Sequence, residues 1–237
     1  MILDTIARPP SLVEKVCQSL AAIARSDSQE DEGWLPTERE LSAQLGVSRS
    51  VVREATKRLE QQGLLEIRQG LGIRTVNHLH KPLTGALELL VPEETERLRQ
   101  LIEVRLMVEP ENARLAAERS SAKQIIALRQ VHEKLVHATS FEDSVMADME
   151  FHRMLAVLSG NQIAALLLQS LSELLQASLK HGYKRVSTAT AIKQHNAVVK
   201  AIEQRDSAAA ARSMHRHLIT AREDLGLNQP STQPIRA

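Results

Sequence analysis

The chain has 237 residues, a formal net charge of +1 and 43% hydrophobic residues. This composition excludes wholesale disorder and allows one large or two ordinary domains. Aromatic residues make up only 2%, so the core must be mainly aliphatic, which favours helices. The near-neutral charge excludes a chain-wide polycation, and a nucleic-acid site would have to be a local patch.

The sequence gives no sign of secretion or membrane insertion. The single cysteine, Cys17, can form neither an internal disulfide nor a cysteine-based zinc site by itself. The first residues include Asp4 and no long apolar run, unlike a signal peptide. The most apolar stretch, residues 163–175, is too short and too polar to span a bilayer. We expect a cytoplasmic protein with no membrane partner.

The first third of the chain predicts a helix-turn-helix. Residues 10–25 show apolar residues at helical spacing. Thr37 and Glu40 form a capping box pattern, which predicts a helix that starts at Thr37 and stops at Gly46. Ser48 caps a second helix after a three-residue turn.

A wing and a row of cations follow. The second helix runs to about Gln62, and the segments "LLEIR" and "IRTV" predict two strands around the turn "QGLG". Residues 45–76 hold six cations against three acids, a local charge of +3. Arg49 and Arg53 point away from the apolar helix face, in the part of the helix that enters the major groove in this motif. Arginine suits guanine edges and phosphates; the alternative is a solvated face, with Arg53 paired to Glu54.

The remaining two thirds predict an all-α bundle. Residues 77–84 contain a proline and are predicted to form a linker. Pro110 is expected to kink or divide its helix. The periodicity predicts helices at about 85–90, 93–118, 121–137, 141–159, 161–181, 187–204 and 206–225.

The predicted fold is therefore mainly α, with an N-terminal winged helix-turn-helix and a C-terminal all-α helical bundle. We expect a DNA-binding domain over residues 1–76 and the linker over 77–84. An effector-binding, metal-binding and dimerisation domain is expected over residues 85–227. The polar tail, residues 228–237, is expected to be disordered.

Polar side chains lie on apolar faces of the predicted bundle. They are Asp148 and His152, four residues apart on one face, then His195, His217 and Arg105. Unpaired burial of such groups is costly, so they need partners. One aspartate and three neutral histidines from facing helices suit a divalent transition metal, with zinc favoured and nickel or manganese as alternatives.

Arg105 cannot ligate a metal, but it can hold a carboxylate bidentately. A metal beside this arginine would be a receptor for a small organic acid, such as a sugar acid, a hydroxy acid or a dicarboxylate. The simpler alternative is internal pairing, with Asp148 bound to His152 and Arg105 bound to Glu109.

Two resemblances sharpen these interpretations. The stretch "LPTERELSAQLGVSRSVVREATKRLEQQGLLEIRQGLG" resembles the winged helix-turn-helix of the GntR family of bacterial transcription regulators. The resemblance implies operator contacts from Arg39, Arg49 and Arg53, with the wing tip near the minor groove. The expected DNA-contacting set is Thr37, Arg39, Ser48, Arg49, Arg53, Gln69 and Gly70.

The segments "LIEVRLMVEPENARLAAERSS", "DMEFHRMLAVLSGN" and "HNAVVKAIEQRDSAAAARSMHRHL" resemble the FCD effector-binding domain of the FadR-type branch. This resemblance implies that Arg105 binds the effector carboxylate and that Asn161 contributes to the pocket. It also implies a metal bound by Asp148, His152, His195 and His217.

We therefore expect a DNA-binding transcription regulator, not an enzyme. As a homodimer it would repress from a palindromic double-stranded operator, and a small carboxylate metabolite bound beside the metal would control its affinity. The main alternative is a metal-responsive regulator without an organic effector. A metal-dependent hydrolase with a DNA-binding module is disfavoured because the sequence has no HExxH motif, and an architectural protein without ligand is also disfavoured.

Overall fold

The computed structural model describes residues 10–25, 33–91, 93–183 and 188–227. The chain divides into two compact units, Met1–Gly85 and Ala86–Ala237. Among the described residues, no helix combines the length and the apolar character needed to cross a membrane. The predicted disorder of residues 228–237 concerns a segment outside the described residues.

The first unit is a winged helix-turn-helix, as predicted. Its elements, in chain order, are α1 (Leu12–Arg25), β1 (Trp34–Leu35), α2 (Glu38–Leu45), α3 (Arg49–Gln61), β2 (Leu65–Arg68) and β3 (Gly72–Thr75), and the chain continues into α4 (Lys81–Leu90). The core between the helices and the sheet is aliphatic and includes Val16, Leu20, Leu41, Val52, Ala55, Leu59, Leu65 and Ile73.

Local capping fixes the turn between α2 and α3. The Thr37 hydroxyl accepts from the backbone N–H of Glu40 at 3.3 Å, and the Glu40 carboxylate accepts from the N–H of Thr37 at 2.9 Å. Gly46 ends α2 with a φ of 63°, a conformation that glycine adopts without strain. Ser48 caps α3 by accepting from Val51 N–H at 3.4 Å. These caps place Arg49 at the first position of α3.

The wing is a three-stranded antiparallel sheet in the order β1-β3-β2. The predicted hairpin pairs Ile67 with Ile73 and Arg68 with Gly72. The third strand, β1, was not predicted; Trp34 pairs with Arg74 there. Because β1 has only two residues, it offers no alternation of apolar and polar residues to read.

The second unit is all-α, which confirms the predicted bundle. Its elements are α5 (Glu94–Arg119), α6 (Ala122–Val136), α7 (Phe141–Leu158), α8 (Gln162–Ser170), α9 (Ser172–Tyr183), α10 (Thr188–Glu203) and α11 (Ser207–Asp224). Helix α5 packs against α11 and α7, and α10 packs against α11 and α6. Small residues of α5, among them Ala113 and Ala116, are fully buried and allow this close packing.

Three helices differ from the sequence prediction wholly or in part. The helix predicted over 161–181 is two helices, α8 and α9, separated at Leu171. Pro110 lies inside α5 and does not divide it, so the kink that was expected as the other outcome stays a prediction. Helix α4 begins at Lys81, within the predicted linker; its second residue is Pro82, at a position where a missing N–H costs little.

The chain after α3 is held closely by its own backbone. Gly63 has a φ of 78°, and a Cβ added there would lie 2.1 Å from the carbonyl oxygen of His78. The N–H of His78 donates to the Gly63 carbonyl at 2.8 Å, and that of Val76 donates to the Leu64 carbonyl at 2.9 Å. The start of the predicted linker is therefore part of the first unit.

We predict that Gly63→Ala destabilises the first unit more than Gly46→Ala. Both glycines have positive φ, which costs another residue about 1–2 kcal/mol. Only Gly63 adds a backbone collision, because no atom of the described residues lies within 4 Å of a Cβ at Gly46. Urea unfolding of the full chain can be followed by the fluorescence of Trp34, the single tryptophan. Equal losses for the two variants would show that close approach at Gly63 is unimportant.

Candidate functional site

The first candidate site is the cationic surface of α2 and α3. Arg39, Arg49 and Arg53 are exposed, the last two within the first two turns of α3. The hydroxyls of Thr37 and Ser48 cap the two helices, at the helix ends where backbone N–H groups favour phosphate. All three arginines predicted to contact DNA are therefore exposed.

Arg53 is paired with Glu38 of α2 rather than with Glu54. Its Nη2 donates to the Glu38 carboxylate at 2.8 Å and its Nε donates at 3.2 Å. Glu54 binds Arg58 instead, at 2.7 Å. The hydrogen bond from Arg53 lowers the pKa of Glu38. Because 59% of the Arg53 side chain is exposed, this pair is weak enough to exchange with DNA.

The wing tip is exposed. Gln69 and Gly70 form the turn between β2 and β3, and Gly70 has a φ of 78°. Two further arginines of the wing share one carboxylate: Arg68 and Arg74 lie 3.2 Å and 2.9 Å from Glu66. The wing is therefore less positive at these positions than the count of arginines suggested.

We predict that Arg49→Ala or Arg53→Ala weakens binding to a specific site by roughly ten- to a hundredfold, because a bidentate base contact contributes about 1–3 kcal/mol. The target is a sequence selected from random DNA by the wild-type chain, with a scrambled duplex for comparison. Arg58→Ala is the matched control, since Arg58 lies in the last turn of the same helix. Equal losses on both duplexes would indicate phosphate contact only.

The second candidate site lies inside the helical unit, where four predicted metal ligands meet. Asp148 and His152 come from α7, His195 from α10 and His217 from α11. A ligand atom from each of the three imidazoles lies within 4.8 Å of the others. Asp148 Oδ1 is 3.2 Å from His152 Nε2, and Asp148 Oδ2 is 3.8 Å from His195 Nε2. The Nε2 atoms of His195 and His217 are 3.3 Å apart.

These groups are buried, and not all of their polar atoms form hydrogen bonds with the described residues. Asp148 and His195 are 0% exposed, and within the described part of the chain Asp148 Oδ1 and His195 Nδ1 have no hydrogen-bond partner. The ring of Phe151 stacks on His195 at 4.0 Å between centroids, which fixes the imidazole plane. A carboxylate and three imidazoles that face one another with free acceptor atoms form the donor set of a divalent transition metal. The residues fit such an ion.

Two neighbouring side chains fix which nitrogens face the cluster. His152 Nδ1 donates to the Glu109 carboxylate at 2.6 Å. His217 Nδ1 donates to Gln194 Oε1 at 3.1 Å. The Gln194 amide is oriented in turn, because its Nε2 donates to the Thr220 hydroxyl at 2.9 Å. In both histidines Nδ1 carries the proton, so Nε2 is the nitrogen presented to the cluster.

Burial and charge set the protonation of the cluster. Burial lowers the pKa of His217 to about 3, with a contribution from His152, and burial also lowers the pKa of His195. Burial alone would raise the pKa of Asp148, but the facing imidazoles of His195 and His152 outweigh it and lower that pKa. For His152, burial acts to lower the pKa, but the Glu109 charge together with the hydrogen bonds to Asp148 and Glu109 raises it. Neutral His195 and His217 beside an ionised aspartate are in the form that ligates metals.

Arg105 lies at the edge of the cluster and is already engaged. Its Nε donates to Glu109 at 2.5 Å, and its Nη2 lies 3.0 Å from His152 Nε2. The internal pair of Arg105 with Glu109, considered as an alternative from the sequence, is therefore present. Tyr183 of α9 donates a short hydrogen bond to Asp148 Oδ2. Burial and the Asp148 charge raise the pKa of Tyr183, which keeps it a donor.

A small cavity adjoins the cluster, but Asn161 does not line it. The cavity has a volume of about 40 Å³, and Arg105, Asp148, Tyr183 and His217 are among its lining residues. This is room for a few water molecules at most. Asn161 is exposed at the start of α8, where its side-chain oxygen accepts from the N–H groups of Ile163 and Ala164 at 3.1 Å.

The sequence analysis did not predict Gln194 and Tyr183 as partners of the cluster. It considered Glu109 only as a possible ion-pair partner of Arg105. The sequence carried a signal for Glu109, because two ionisable residues four apart on a mostly apolar helix face rarely stay unpaired. Gln194 and Tyr183 had no such signal in the sequence. Gln194 is 23 residues from its partner His217, and Tyr183 is 35 residues from its partner Asp148.

The fold defines a class of protein in which a winged helix-turn-helix is joined in one chain to an all-α unit. Residues 12–74 match the bacterial regulatory proteins of the gntR family, and residues 100–220 match the FCD domain. The chain belongs to the GntR family of DNA-binding transcription regulators, in its FCD-containing branch. Its family and relatives are transcription regulators rather than enzymes, as expected from the sequence.

Relatives and solved structures agree with this assignment. The Glc operon transcriptional activator of Escherichia coli strain K12 is 31% identical over 202 residues, 81% of this chain and 80% of that protein. The HTH-type transcriptional repressor NanR of Citrobacter rodentium is 31% identical over 218 residues, 87% of this chain and 82% of that protein. A GntR structure from Streptococcus agalactiae has a TM-score of 0.72 and 29% identity, and it covers 89% of this chain and 99% of that one.

Proposed function

We propose that this chain is a homodimeric repressor whose operator binding is controlled by a small organic acid bound beside a divalent metal in the helical unit. The observation that supports this most is the buried convergence of Asp148, His152, His195 and His217 on one point. Arg105 lies within 3.0 Å of the His152 ring.

The chain's own residues have distinct roles in this proposal. Asp148 and the three histidines would hold the metal, with zinc favoured because its common ligands are nitrogen and carboxylate oxygen. The metal would supply positive charge and a coordination position for an acid oxygen. Arg105, which lines the adjoining cavity, would bind the acid's carboxylate.

Control of DNA binding requires that the acid prefer one shape of the dimer. Two copies of α3 would read half-sites about one DNA turn apart, so a small change in their spacing would weaken binding. We propose that the acid favours the released shape. The relatives include both an activator and a repressor by name. The test is therefore whether the acid weakens or strengthens operator binding, and tighter binding with the acid would contradict release.

The size of the cavity favours a second candidate in which the metal itself is the signal. A volume of about 40 Å³ is small for an organic acid, since one water alone needs roughly 10–15 Å³ of such space. We therefore expect acid binding to move lining residues such as Tyr183, whereas a bare metal ion needs less room.

We predict that a thermal-shift screen of sugar acids, hydroxy acids and dicarboxylates finds an acid that stabilises the chain only in the absence of chelator. An acid present at a hundred times its Kd adds about 2.7 kcal/mol of stability. Stabilisation by Zn²⁺ with no response to any acid, together with DNA binding that changes with the metal alone, would support the second candidate instead. An acid response unaffected by chelator would contradict a metal beside the acid.

We also predict that His195→Ala lowers bound metal and abolishes the acid response while DNA binding is retained. His195 is fully buried in the cluster, and the reading helix α3 belongs to the other unit. His215→Ala is the matched control, because His215 is an exposed histidine near the cluster residue His217 on α11. Metal content after dialysis against Zn²⁺ is the measurement. Equal metal content in the two variants would remove His195 from the ligand set.

A further inference from the structure

Glu109 is a buried carboxylate that contacts both halves of the proposed site. It lies on α5, one turn after Arg105, and only 2% of it is exposed. A charge in this position is stable only if each of its oxygens has a partner.

Each carboxylate oxygen of Glu109 binds a different candidate functional residue. Oε1 accepts from Arg105 Nε at 2.5 Å. Oε2 accepts from His152 Nδ1 at 2.6 Å. The first contact holds the residue proposed to bind the acid, and the second holds a residue proposed to bind the metal.

The second contact determines what the other edge of the His152 ring can do. With Nδ1 bound to Glu109, Nε2 is directed at Asp148 Oδ1, 3.2 Å away. Arg105 Nη2 lies 3.0 Å from the same Nε2 and 3.3 Å from Nδ1, so it lies over the face of the ring. A guanidinium and a metal ion are both cations, so a metal ion on Nε2 would be repelled by this nitrogen. Metal ligation by His152 therefore favours movement of Nη2 away from the ring, while Nε can remain on Glu109.

We propose that Glu109 is a positioning residue with two opposite tasks: it orients His152 toward the metal, and it anchors Arg105, whose positive charge opposes metal binding at that imidazole. The inference rests on the proposed function. Its consequence is that metal uptake turns the Arg105 guanidinium away from His152. Because Arg105 also lines the adjoining cavity, the freed nitrogen becomes available to an acid.

The test compares two variants of one ion pair. Glu109→Gln keeps the size of the side chain but cannot accept from both Arg105 and His152. We expect its Zn²⁺ affinity to fall about ten- to a hundredfold, as for the loss of other outer partners of ligating histidines. Arg105→Met removes the competing cation, so its Zn²⁺ affinity should rise several-fold. A purely structural ion pair would lower the affinity in both variants.

The measurement is competition of the full-length chain with a chromophoric chelator for Zn²⁺, without any organic acid. Glu111→Gln is the matched control, since it is the same change on the exposed face of α5, where Glu111 binds Arg114; its affinity should equal that of the wild type. If Glu109→Gln fails to fold, the sign of the Arg105→Met effect decides, and a fall overturns the proposal.

The outcomes separate this inference from the proposed function. A wild-type chain that binds Zn²⁺ as tightly as Glu109→Gln overturns the role of Glu109 and leaves the metal site standing. A wild-type chain that binds no Zn²⁺ overturns both.

Discussion

The helical unit depends on how one carboxylate is kept ionised in an aliphatic core. Asp148 is 0% exposed, and an isolated charge there would cost several kcal/mol. It is stabilised by the facing imidazoles and by the hydroxyl of Tyr183. Those imidazoles need orientation in turn, which Glu109 and Gln194 provide through His152 and His217. A second set of side chains therefore orients the residues that surround Asp148.

Two polar atoms of the cluster lack hydrogen-bond partners among the described residues. Buried polar atoms are almost always paired, yet Asp148 Oδ1 and His195 Nδ1 are not. Asp148 Oδ1 lies 3.2 Å from His152 Nε2, the nitrogen that Arg105 Nη2 approaches from over the ring at 3.0 Å. A cation bound between the carboxylate and the imidazoles, as proposed above, would give Asp148 Oδ1 the partner that it lacks.

Most of the helices and strands and the candidate metal ligands could be predicted from the sequence, because both follow from local periodicity. Asp148 and His152 share a helix face by spacing alone, and the caps at Thr37 and Ser48 are contacts over three residues. Pairings between distant segments were not predictable. Arg53 meets Glu38 fifteen residues away, and no proline or glycine in the sequence marks the split at Leu171. Asn161 had the residue type of a pocket donor, but the need of α8 for a cap accounts for its side chain.

The position of Tyr183 bears on how an acid could act from so small a cavity. Its hydroxyl occupies one oxygen of Asp148, and its side chain lines the cavity together with Arg105. An acid that enters must displace this side chain or its neighbours, and Tyr183 is the last residue of α9. Acid binding would therefore exchange a tyrosine hydrogen bond on a ligand carboxylate for a carboxylate contact with an arginine. Such an exchange gives the acid a differential affinity for two shapes of the helical unit, which is the condition that any effector must meet.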